Sequence, residues 1–294
     1  SAQAAQFQFA GEHEFEGIQM AAGLGDVKAE FNQFRSSDVM NDALLSGSVD
    51  FVCLGIPGII TIWSKTKGMP IEVRAASGLN VSPLILLARD PAIKSIKDFK
   101  DGHKIAMPAV KVSMQAIMLQ MAAAKEFGQD KFNSLDHLTV SMAHPDATAT
   151  MLGGPSEVVA NWSSAPFQYR QLKNPNIRKI MTSTDLFTEP LSFNVIAATS
   201  KFRTENPKLY AAFRAALQEA TDFINKDKKR AAEIYLAATK DKMSVEELLE
   251  ILGDPAIQYT TKVGGINAFV SFMGKTGTLK NPPADWKDMF FPES

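Results

Sequence analysis

Cysteine is nearly absent: Cys53 is the one thiol in 294 residues. A single thiol excludes an internal disulfide and a thiolate metal cluster. Its place in the apolar run Phe51-Val52-Cys53-Leu54 reads as a small buried hydrophobe. Histidine is scarce too, and His13, His103, His137 and His144 show no metal-ligand spacing on a helix or in a short loop. No apolar run reaches the roughly 18 residues that a membrane-spanning helix needs. The nearest, Phe51 to Trp63, is broken by Gly55, Pro57 and Gly58. An excess of one charge is missing as well, since 31 basic residues meet 32 acidic ones for a net charge of −1. No stretch gathers Lys and Arg into a phosphate-tracking surface, so nucleic acid is not an expected partner. The densest basic run, Lys226 to Arg230, continues an amphipathic helix and reads as its solvated face. There is no Gly-rich phosphate loop, no G-x-S-x-G elbow and no H-E-x-x-H helix. The expectation is therefore a protein that catalyses nothing, with no catalytic residues, no metal site and no cofactor.

What is present fits a binding protein. The length exceeds what one hydrophobic core comfortably serves, so two packed units are expected, and an apolar fraction of 45% is enough to build both. The opening Ser1-Ala2-Gln3-Ala4-Ala5-Gln6 reads as the small-residue remnant beside a signal-peptidase site, which points to a periplasmic or other extracytoplasmic protein with its signal peptide removed. Short β-like runs alternate with helical patterns over the first two-thirds, as in βαβ units with a mainly parallel sheet. Val27 to Phe34 alternates apolar and polar residues. Val49 to Leu54, Ile71 to Ala75, Leu84 to Ala88 and Lys104 to Met107 read as further strands, the last taken to begin a second sheet. A helix over about Val112 to Phe127 carries Met114, Ile117, Met118 and Met121 on one stripe, a core pattern.

Two segments resemble each other within the chain. Asp42 to Phe51 and Asp146 to Val159 each read as a helix end, a glycine stop, a small residue, an acid and a β-branched strand, which points to two lobes of related topology. After a strand over Phe193 to Ala198 the pattern turns helical. Asn206-Pro207 opens a long helix, Ser244 and Glu247 form a capping box, and Val263, Ile266, Val270 and Met273 mark the last amphipathic turns. These helices are expected to pack on the first lobe, with Trp286, Phe290 and Phe291 anchoring an extended tail. The lobes are drawn as 1–90 plus 192–294 and 91–191, with crossings at Arg89-Asp90-Pro91 and Pro190-Leu191-Ser192.

Ligands of open α/β sheets bind outside the carboxyl ends of the strands, where helix N-termini present free N–H groups. That rule selects Phe34 to Ser37, Leu54 to Pro57 and Ala76 to Asn80 in the first lobe. In the second it selects Met107 to Ser113 and Val159 to Ser164. Ser36 and Ser113 also read as helix N-caps. Asn161 and Trp162, an amide beside an aromatic after an apolar strand, suit a pocket wall. The acidic run around His13 (Glu12, Glu14, Glu16) is a candidate for ligand contact.

In this order the turns resemble the nitrate/sulfonate/taurine-type periplasmic solute-binding proteins of ABC transporters. The matching pieces are Phe34-Arg35-Ser36-Ser37, Ala43 to Gly55 ("ALLSGSVDFVCLG"), Ile93 to Pro108 ("IKSIKDFKDGHKIAMP") and His144 to Gly154 ("HPDATATMLGG"), over about Val27 to Phe202. The resemblance implies a type II periplasmic-binding fold, each lobe a mixed sheet flanked by helices, with a helical C-terminal third and hinge closure on the ligand. It implies a membrane permease as partner. By motif position it implies ligand contacts from Ser36, Gly55, Ile56 and Asn80 in one lobe and Val112, Ser113, Asn161 and Trp162 in the other. Helix N-termini favour a small anionic or zwitterionic molecule, of sulfonate, taurine, nitrate or carboxylate type, while Glu12, Glu14 or Glu189 would hold an amine. A monomer is expected.

Two rival readings belong to other classes. A sensory domain or an orphan binding protein without transport would share the same body. An enzyme on this fold, resembling fungal-type pyrimidine-precursor synthases, would be expected to carry a cysteine-rich motif, which a chain with only Cys53 lacks.

Overall fold

The computed structural model describes residues 3–5, 30–32, 34, 37–187, 190–239 and 241–294. The chain first forms β1 (Gln3–Ala5) and β2 (Glu30–Asn32), a parallel pair. It continues through α1 (Ser37–Leu45), β3 (Phe51–Gly55), α2 (Ile56–Thr66) and β4 (Val73–Val81). α2 begins where β3 ends: Gly55 is its extended N-cap, and Pro57 sits in the first turn, where a missing N–H leaves nothing unsatisfied. The next elements are β5 (Ile85–Ala88), β6 (Lys104–Met107), α3 (Met114–Phe127), β7 (Thr139–Ser141), α4 (His144–Leu152), β8 (Val158–Ser163), α5 (Phe167–Leu172) and β9 (Arg178–Thr182). β10 (Ser192–Thr199), α6 (Ser200–Glu205), α7 (Pro207–Lys226), α8 (Lys228–Thr239), α9 (Val245–Gly253), β11 (Gln258–Tyr259) and α10 (Ile266–Lys275) follow. The capping box before α9 forms as the sequence indicates, with the Glu247 N–H donating to Ser244 Oγ at 3.1 Å and the Ser244 N–H to Glu247 Oε2 at 2.8 Å.

These elements sort into two units, 1–81 with 192–263 and 281–294, and 82–191 with 264–280. In the first, strands run β11-β4-β10-β3, with β10 antiparallel to both β3 and β4, and the β1–β2 pair lies beside β3. Phe51 of β3 stacks on Phe213 of α7 at 3.8 Å between ring centres and meets Phe202 of α6 edge-on at 5.1 Å. α2 buries Ile59, Ile60 and Trp63. In the second unit the order is β7-β6-β8-β5-β9, with β5 antiparallel to both its neighbours and β6 parallel to β7 and β8. Leu87, Ala106, Ala147, Met151, Val158 and Ile177 form a buried cluster there.

The two arrangements repeat: β2-β1-β3-β10-β4 in one unit corresponds to β7-β6-β8-β5-β9 in the other. The similar segments found in the sequence occupy equivalent places. One joins α1 to β3, the other α4 to β8, and each strand lies beside the antiparallel member of its sheet.

The lobe boundaries differ from those drawn on the sequence. β5 pairs with β8 and β9, so residues 82–90 belong to the second unit, and the chain passes between units after Val81 rather than at Arg89-Asp90-Pro91. Arg89 is held inside the second unit by its N–H to Val159 O at 2.9 Å and its guanidinium to Thr150 O at 2.7 Å. α10 also joins the second unit, where Phe269 meets Phe187 at 5.2 Å and Phe272 meets Phe132 at 6.1 Å. An apolar strand and an amphipathic helix each state that a face is buried, not which sheet buries it. β7, β9 and β11, of three, five and two residues, are too short to carry a strand periodicity in the sequence.

Gly78 of β4 donates its N–H to Thr261 O at 3.0 Å, and a Cβ there would lie 2.6 Å from Lys262 O and 2.8 Å from Thr261 O. Gly78→Ala forces two backbone segments apart and is expected to destabilise the protein by about 1–3 kcal/mol, measured by denaturant unfolding. A change below about 0.5 kcal/mol would contradict this close approach.

Candidate functional site

β6, β7 and β8 run parallel, so their carboxyl ends share one edge of the second unit's sheet, and each feeds a helix there, α3, α4 and α5. Ser113 caps α3, its Oγ accepting from the Ala116 N–H at 3.2 Å. Gln115, almost fully buried, follows in the first turn. His144 is the first residue of α4, whose N-cap, Ala143, supplies no side-chain acceptor to the first turn. Ser164, also buried, leaves β8.

These side chains meet at the imidazole. His144 Nε2 lies 3.2 Å from Ser164 Oγ and 3.4 Å from Gln115 Nε2, and the ring stacks on Phe167 at 5.6 Å and 16°. An amide nitrogen only donates, so Nε2 is the acceptor and the ring proton belongs on Nδ1. Nδ1 is buried and has no hydrogen-bond partner among the described residues. Burial lowers the ring's pKa to about 4, which keeps it neutral across the physiological range.

A second polar layer supports this one. Gln171 of α5 donates to Thr148 Oγ1 and Ser163 Oγ, both at 3.1 Å, and accepts from Asn161 Nδ2 at 3.3 Å. One buried amide thus ties α5 to α4 and β8. Gln168, one turn earlier, donates to Pro83 O at 3.2 Å and fixes α5 against the residues leading into β5.

The carboxyl edge of the first unit's sheet gathers amides instead. Asn194 of β10 stands in register with Gly55 on one side and Asn80 on the other, and its Nδ2 donates to Asn80 Oδ1 at 3.3 Å.

The residues selected from sequence therefore separate into groups. Gly55 and Asn80 lie at one edge, joined by Asn194, while Ile56 is fully buried beneath them. Ser113 lies on the His144 edge, and the preceding Val112 is half exposed. Asn161 points into the Gln171 network. Trp162, expected as a pocket wall, is 0% exposed. Strand alternation turns it to the face opposite Asn161 and Ser163, and both faces of this sheet are covered, so it is a core residue. His13, Ser36 and Glu189 lie outside the described residues.

Ser164 closes the turn Val159 to Ser164 that the carboxyl-end rule selects, whereas His144, Gln115 and Asn194 were not among the selected candidates. The carboxyl-end rule would have selected Ala143-His144 had the short strand Thr139–Ser141 been recognised.

Two mixed sheets, each with one antiparallel strand received from the other part of the chain and with helix N-termini along its carboxyl edge, define a type II periplasmic-binding fold. Residues 3–238 match the NMT1-like family, and the chain belongs to it. The resemblance to nitrate/sulfonate/taurine-type solute-binding proteins of ABC transporters is borne out. The fold is similar to that of the alkanesulfonate-binding protein SsuA of Xanthomonas axonopodis pv. citri bound to MOPS, with a TM-score of 0.70 and 14% identity over 95% of this chain and 92% of that one. It is also similar to the periplasmic aliphatic sulphonate binding protein SsuA of Escherichia coli, with a TM-score of 0.66 and 15% identity over 100% and 92% of the two chains. A putative periplasmic sulfonate-binding protein of Methylobacillus flagellatus KT matches with a TM-score of 0.63 and 19% identity over 99% and 91%. No curated protein matches the chain in sequence. No helix of the described residues is long and apolar enough to cross a membrane.

Two predictions test this geometry. The unfolded chain protonates His144 near pH 6.5, whereas the native protein resists until about pH 4. The folded pKa is depressed, so the native state binds fewer protons between these values. This stability component is intact above pH 6.5 and is lost as the pH falls toward 4, in total about 3 kcal/mol. His144→Gln should flatten the stability profile of urea unfolding over that window relative to wild type; parallel profiles would show that the ring is not held neutral. Gln171→Leu leaves the partners in Thr148, Ser163 and Asn161 unsatisfied and should cost about 2–4 kcal/mol in the same measurement. A cost under about 1 kcal/mol would mean the network does not support the edge.

Proposed function

We propose that this protein is an extracytoplasmic solute-binding protein that captures a small anionic or zwitterionic organic molecule, of sulfonate, taurine, nitrate or carboxylate type, and delivers it to an ABC permease. The observation that carries the reading is the uncharged polar cluster of His144, Ser164 and Gln115 where three helices begin. Backbone N–H groups and neutral side chains at helix N-termini hold oxyanions without a fixed counter-charge, and they release them readily. The Gly55–Asn194–Asn80 row offers amide donors and acceptors of matching character on the first unit.

The same cluster argues against catalysis. Ser164 and His144 approach a nucleophile–base pair in distance, yet an imidazole with a pKa of about 4 is a weak base near neutrality. No acid orients its Nδ1 among the described residues. The pair is read as ligand-binding groups, not as acyl-transfer machinery.

A thermal-shift screen against sulfonates, carboxylates, nitrate, amines and pyrimidines tests the proposal, because a ligand raises the melting temperature by mass action. For the strongest sulfonate or carboxylate, Ser164→Ala and Gln115→Ala should each weaken binding about 5- to 15-fold, measured by calorimetry, with unbound melting temperatures close to wild type. Unchanged affinity in both variants would remove the site, and consumption of a compound would overturn the binding-only reading.

A further inference from the structure

A cavity of about 850 Å³ lies wholly within the first unit, apart from the His144 cluster. Its size is that of a small-molecule site. Its walls come from β4, α7, the segment after β11 and the C-terminal residues. Of the four cations in the lining, Lys287 belongs to the C-terminal segment and the other three follow β4. Arg74 projects from the strand itself, Arg214 of α7 is anchored on Ala76 O at 3.0 Å, and Lys262 packs its backbone against Gly78. At about 3.3 Å per residue, the three attachment points span about 13 Å.

Each cation keeps donors unused among the described residues. Arg74 gives only its Nε to Glu72, leaving both Nη atoms. Arg214 uses Nε on Ala76 O and Nη2 on Glu293 O, leaving Nη1. The exposed Lys262 ammonium has no acidic partner there. The acids in the lining are occupied. Glu293 turns both carboxylate oxygens to Arg203, at 2.7 and 3.0 Å, and Asp288 accepts from the Asp285 N–H at 3.3 Å. Trp286 borders the same space, its ring edge-on to Phe290 at 5.3 Å and beneath Lys287 at 6.0 Å.

We infer that this cavity is a second ligand site, for an aromatic small molecule bearing an oxyanion, with the anion held by Arg74, Arg214 and Lys262 and the ring laid against Trp286. Forked guanidinium donors suit a planar or tetrahedral oxyanion, and an indole face suits a ring. The inference does not rest on the His144 cluster.

The tryptophans supply the readout. Trp63 and Trp162 are 1% and 0% exposed, while Trp286 is part exposed at the cavity, so a ligand entering here changes chiefly the Trp286 emission. Phenyl phosphate is the probe, titrated into the full chain at fixed ionic strength. The expected result is a saturable fluorescence change in wild type and in Ser164→Ala, weakened at least about tenfold in Lys262→Glu and less in Lys262→Ala. Lys262 is exposed, so both variants should keep the wild-type melting temperature. No saturable change in wild type, an unaltered titration in Lys262→Glu, or loss of the signal in Ser164→Ala would overturn the inference, the last by placing the probe in the second unit.

Discussion

Each sheet depends on one strand that runs against its neighbours. β10 is inserted antiparallel between β3 and β4, and β5 antiparallel between β8 and β9, immediately after the chain enters the unit each strand serves. The flanking parallel strands then end on a common edge, where α2 starts after β3 and α5 after β8. β10 brings Asn194 into register with both Gly55 and Asn80, which no pair of parallel strands separated by a third would achieve alone. β5 aligns Ile85 with Ser163 on one side and Thr182 on the other, holding the carboxyl ends of β8 and β9 level. The polar edges of both units follow from this one topological device.

The second unit then faces an energetic problem. Asn161, Ser163, Gln168 and Gln171 are all fully buried, and polar groups taken from water without partners cost several kcal/mol in sum. Gln171 offsets much of that cost by bonding three of its neighbours. The result is a rigid floor, and on it rests a second, largely buried layer of His144, Ser164 and Gln115, its imidazole held by stacking on Phe167 rather than by charge. A neutral, preorganised cluster binds without needing to neutralise or reorganise a charged group first, which suits reversible capture.

Much of the fold was legible in the sequence because its signals were local. The apolar run Phe51 to Leu54, the proline at the start of α2, and the Ser244–Glu247 box each act within a few residues, and each forms the element expected. The repeated helix–glycine–strand segment carried longer information and marked equivalent positions in the two units. What failed was partner choice. The Ile85–Ala88 run and the Ile266–Met273 face fit either core by composition, and tertiary pairing alone assigns them to the second unit. The site was half legible for a related reason. The carboxyl-end rule selects Gly55, Asn80 and Ser113, which do lie at the carboxyl edges, but it needs strands, and β7 is too short to announce itself, so His144 went unselected. Trp162 was selected for its chemistry when its strand position, opposite Asn161, makes it core.

In the proposed function the His144, Ser164 and Gln115 edge receives the solute. The most direct measurement is a crystal structure of the protein with the compound that most raises its melting temperature. Ligand oxygen atoms are expected within hydrogen-bond distance of Ser164 and Gln115, with His144 still stacked on Phe167. A ligand seated elsewhere, with this cluster unchanged and untouched, would contradict the proposal.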